Sequence, residues 1–81
     1  MLHRSMEERI LSLKVDSIEL CKVAWGIRGN KVLEIFNGVD LLTLIEECYE
    51  GLHTESHLYL IGWLEDVLKE RGVDIDVLKS T

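Results

Sequence analysis

Apolar residues in this chain return every three or four positions, and no proline interrupts them. That spacing gathers them on one face of a helix, whereas a half-buried strand would alternate them. The punctuation is left to glycine, asparagine and aspartate, which divide the 81 residues into short helical segments. These segments outweigh the strand preference of Val, Ile and the two Trp. The expectation is an all-α fold, a compact six-helix antiparallel bundle. Residues 1–81 make a single domain, because a chain of this length cannot enclose a second core.

The segments can be placed from their apolar stripes and caps. Leu2, Met6, Ile10 and Leu13 predict a first helix ending near Leu13. Asp16 followed by Glu19 has the spacing of a capping box and predicts a second helix starting near Ser17. That helix carries Ile18, Cys21 and Trp25 on one stripe and stops at Gly26 and Gly29. Asn30 is placed to cap a short third helix, Lys31 to Phe36, and Asn37-Gly38 reads as a helix–helix turn. A fourth helix is expected from Val39 to Glu50, with Gly51 as its stop. Thr54 is expected to cap the fifth and longest, which buries Leu60, Ile61, Leu64, Val67 and Leu68 and leaves Glu65, Asp66, Lys69 and Glu70 wet. Gly72 ends it, and Asp74 is placed to cap a last short helix with Ile75, Val77 and Leu78.

Charge narrows the partners. Fifteen acidic residues against nine basic give a net charge of −6, which repels nucleic acid and suits either solubility or a basic protein partner. No apolar run approaches the length that spans a bilayer, and no signal-peptide core is present, so no membrane partner is expected and the location is expected to be cytoplasmic. Two cysteines, Cys21 and Cys48, read as packed thiols of a reducing compartment.

Catalytic chemistry is hard to assemble from these residues. His53 and His57 lie four apart but belong to no metal-binding motif, and Cys48 lacks a motif that would pair it with either as nucleophile and base. Adjacent carboxylates such as Glu46-Glu47 and Glu65-Asp66 do not face each other as an acid–base pair must. Phosphate-cradling glycine motifs are missing, so no catalytic residue, metal or cofactor is assigned and the chain is read as no enzyme. Of the two tryptophans, Trp25 continues a buried stripe and is expected in the core. Trp63, at the edge of the fifth stripe near Tyr59 and Gly62, is the better interface candidate.

The order and lengths of these segments resemble the death effector domain, a six-helix member of the death-fold superfamily. The resemblance is carried by Val39-Asp-Leu-Leu-Thr-Leu-Ile-Glu-Glu, Gly51-Leu52, and Leu58, Leu60, Ile61, Leu64 and Leu68. Asp16-Ser17-Ile18 with Cys21-Lys22-Val23 is similar to that family's second helix, and Arg71-Gly72-Val73-Asp74-Ile75 to its Arg-x-Asp-Leu element with one residue inserted. The resemblance implies a non-catalytic interaction module of adaptor or initiator-caspase type, in apoptosis or innate immune signalling, that associates with a like domain or itself. The protein-binding residues it implies are Asp16, Glu19, Lys22, Arg71 and Asp74, to which Trp63 is added from its helix position. The alternative is a small acidic helical inhibitor or immunity-type protein, bacterial or viral, that binds a basic protein target.

Overall fold

Why the chain begins with one long helix rather than two is visible in residues 6–25, where neither Gly nor Pro occurs. The computed structural model describes residues 5–79, so the expected contribution of Leu2 lies outside the described residues. Helix α1 runs unbroken over Met6–Trp25, capped by the Ser5 side chain, which accepts from the Glu8 N–H at 3.1 Å. The capping box expected at Asp16 is therefore corrected: Asp16 sits exposed in mid-helix. Leu13, Ser17, Cys21 and Trp25, four apart, form the continuous buried stripe that carries the helix through. Ser17 is tolerated there because its hydroxyl donates to the Leu13 carbonyl at 2.8 Å. Gly26, left-handed at φ 66°, ends α1 as expected, its N–H donating to the Lys22 carbonyl.

Helix α2 spans Gly29–Gly38, and the Arg28 carbonyl, rather than an Asn30 cap, accepts from its first turn. Asp40 then takes a left-handed turn at φ 55° and accepts from the Thr43 hydroxyl at 2.8 Å. The single helix expected from Val39 to Glu50 is two: α3, Leu41–Glu47, and α4, Tyr49–Leu52, with Cys48 leaving helical geometry between them. Gly51 does not stop the segment but lies within α4.

Helix α5, His57–Glu70, starts two residues later than expected. Ser56, not Thr54, is its cap and accepts from the Tyr59 N–H at 3.1 Å. Gly72, left-handed at φ 89°, turns the chain out, and the Val73 N–H returns to the Leu68 carbonyl. Asp74 accepts from the Val77 N–H at 3.2 Å and so caps α6, Ile75–Lys79, as expected.

The fold is thus all-α, with six helices among the described residues, as expected, although the six are divided differently. Val32, Phe36, Leu41, Ile45, Leu64, Leu68 and Ile75 are fully enclosed at the centre, and α1 packs against α2, α3, α5 and α6. Trp25 joins this core edge-on to Phe36, ring centroids 6.5 Å apart. The radius of gyration is 12.7 Å, near the ~12 Å of a folded chain of this size.

Candidate protein-binding surface on helix α5

An α5 buried on one side presents the opposite side to solvent, and here that side is apolar as well. Leu60, Leu64 and Leu68 point into the core. Leu58, Tyr59, Gly62, Trp63 and Asp66, spaced i, i+1, i+4, i+5 and i+8, occupy the outward face and line a shallow groove of about 250 Å³. Leu58 is 81% exposed and Tyr59 51%, while Trp63 is half-buried. Leu58, grouped with the inward leucines in the sequence resemblance, turns outward instead. A surface helix ordinarily keeps such a face polar, so a tight cluster of Leu, Tyr and Trp there makes it the candidate interaction surface.

One acidic side chain, Asp66, lines this groove, and Lys69 is exposed on the same helix. Glu55, Asp66 and Glu70 are exposed on α5 and the turn before it. On the α1 flank, Asp16, Glu19, Leu20 and Val23 line a second groove with His57, which adjoins the first because His57 and Leu58 are consecutive. Lys22 of α1 is held 3.5 Å from Glu19 in an exposed pair.

Of the expected binding residues, then, Asp16, Glu19 and Lys22 do share the α1 flank, and Trp63 lies on the neighbouring face of α5. Arg71 and Asp74 do not join them. The Arg71 guanidinium donates to the Val39 carbonyl, anchoring the end of α5 to the α2–α3 junction, and Asp74 is occupied as the α6 cap. The charge triad implied by the resemblance is not assembled.

A residue that the sequence places on the wet side proves to be a structural hub. The Glu65 side chain is only 16% exposed, and its Oε2 accepts from Trp25 Nε1 at 2.8 Å and from Lys79 Nζ at 3.3 Å. Burial pushes the Cys21 thiol from 9.0 up to about 12, and the Glu65 charge adds to the effect. Cys21 is thereby held protonated and unreactive.

The histidines have local partners. His53 Nδ1 lies 3.1 Å from the carbonyl oxygens of both Tyr49 and Glu50, so that nitrogen carries the proton and donates. Its ring stacks on Tyr49, centroids 4.7 Å apart. His57 opens α5 beside Asp16, and Cys48 is half-buried at the α3–α4 break. Among the described residues, no three His, Cys, Asp or Glu side chains are grouped to hold a metal ion, and no helix is long and apolar enough to cross a membrane.

These features define a small all-α domain with an apolar, acid-rimmed helix face. The chain belongs to the DUF3791 family, described as a protein of unknown function, whose family model matches residues 13–71. The matched span holds α2 to α5 entire, including the outward face, and stops before α6. No curated protein and no solved structure matches the chain. The resemblance to a death effector domain is corrected by this membership, and the sequence elements behind it have other roles. Its two leading helices are the single α1, and its Arg-Asp element is divided between an anchor and a cap. Apoptotic or caspase-type signalling therefore has no support.

Proposed function

We propose that this chain is a non-catalytic domain that acts by binding a basic protein target, with the outward face of α5 as its contact surface. The observation that carries the reading is the exposed pair Leu58 and Tyr59 beside the half-buried Trp63, on a helix that already buries its other side. Apolar anchors ringed by charge are the general anatomy of a protein interface, the aromatics supplying affinity and the rim supplying orientation. The acidic rim and the net charge of −6 set the sign of the partner's surface.

The test is co-purification from the native host using wild type, Leu58→Glu and Leu11→Glu, the last altering an exposed leucine on α1. The expected result is one basic protein retained by wild type and Leu11→Glu and lost from Leu58→Glu. Equal retention by all three variants would place the contact elsewhere and overturn the reading.

A further inference from the structure

Gly62 stands in the middle of the groove lined by Leu58, Tyr59 and Trp63, and nothing in the chain's own fold requires a glycine there. Its φ is not left-handed, and a Cβ built on it meets no atom within 4 Å. Glycine inside a helix is unfavourable relative to alanine, because it surrenders more backbone freedom on folding. Without a side chain, Gly62 leaves a notch open to the α5 backbone, with Leu58 and Tyr59 one turn before it and Trp63 beside it. A notch of that kind lets a second helix approach closely, since the distance between packed helices is set by the side chains at the crossing.

Charge decides what fits. Asp66 closes one end of the notch, and Asp16 and Glu19 line the adjoining groove on α1. A second copy would bring a net −6 against its own kind. A cationic helix meets no such penalty. Resting on the reading of α5 as the contact face, we infer that the partner docks a basic amphipathic helix across α5 at Gly62. Its apolar side chains pack between Leu58 and Trp63, and its Lys or Arg side chains face Asp66, Asp16 and Glu19.

The experiment combines thermal unfolding with an amide NMR titration of the full chain at low salt. The probe is a Leu, Ala and Lys peptide of about 18 residues, five turns of amphipathic helix. Its counterpart carries Glu for Lys. Gly62→Ala is expected to raise Tm, and Gly62→Leu to weaken binding of the Lys peptide at least about tenfold without lowering Tm. Shifts should centre on Leu58 to Asp66 and on the α1 flank, and the Glu peptide should not bind. A lower Tm for Gly62→Ala would show that the fold needs the glycine, and undiminished binding by Gly62→Leu would show that the notch is not used; either overturns the inference, as would absence of binding or equal binding of the Glu peptide. Should the α5 amides shift with protein concentration alone, the occupant is a second copy: the inference fails while α5 stands as the contact face. Shifts that avoid α5 altogether contradict both.

Discussion

Glu65 on α5 accepts the indole N–H of Trp25 on α1 at 2.8 Å, across forty residues of sequence, and through the same oxygen it holds Lys79 of α6. One half-buried carboxylate thus joins three helices behind the face assigned to binding. Glu65→Leu leaves a part-buried indole donor unpaired and is expected to cost about 1–3 kcal/mol. Lys79→Ala removes an exposed end of the same junction and is expected to cost no more than about 1 kcal/mol. Urea unfolding of both variants and of the double variant checks the pair, and non-additive values are expected because the two share Glu65.

The Cys21 thiol supplies a pH dependence whose sign follows from its environment. Its pKa is raised to about 12 in the folded protein from 9.0. Below the lower value the thiol is protonated in both states and its contribution is fully present. Above it the unfolded chain ionises first, and stability is lost as pH rises toward 12, at up to about 1.4 kcal/mol per unit. Wild type and Cys21→Ala, unfolded in urea at a series of alkaline pH values, should therefore differ in slope above pH 9 and run parallel below it. Thiol reagents should reach Cys21 only on unfolding.

The cap of α5 offers a direct check on local structure. Ser56→Ala removes the acceptor of the Tyr59 N–H and should cost about 1 kcal/mol. Thr54→Ala, two residues before that cap, should change stability by no more than about 0.5 kcal/mol. Chemical denaturation of the two variants separates them.

These residues also show where sequence reasoning reaches and where it stops. The core stripe of α5, the left-handed exit at Gly72 and the Asp74 cap are local: periodicity and one or two side chains determine them. The position of Trp63 at the edge of that stripe, beside Tyr59 and Gly62, follows from the same wheel. Asp16 and Glu19 misled because capping-box spacing also occurs inside a continuing helix. What carries α1 past them is the buried stripe Leu13, Ser17, Cys21 and Trp25, in which the Ser17 hydroxyl is satisfied by the Leu13 carbonyl. Glu65 misled for a different reason. Beside Asp66 it resembles a solvated surface pair, and only the tertiary position of Trp25 gives it a buried partner. Arg71 is similar, its acceptor being a carbonyl thirty-two residues away. Long-range polar contacts leave no periodic mark in sequence, whereas apolar faces do.

Hydrogen exchange along the chain, free and in complex with the partner recovered from its host, tests the central claim most directly. Binding through α5 predicts added protection concentrated in His57 to Asp66, with a smaller effect on the Asp16 to Val23 flank of α1 and no change at α2 or α6. Protection confined to α2 or α6, with α5 exchanging as in the free protein, would contradict it.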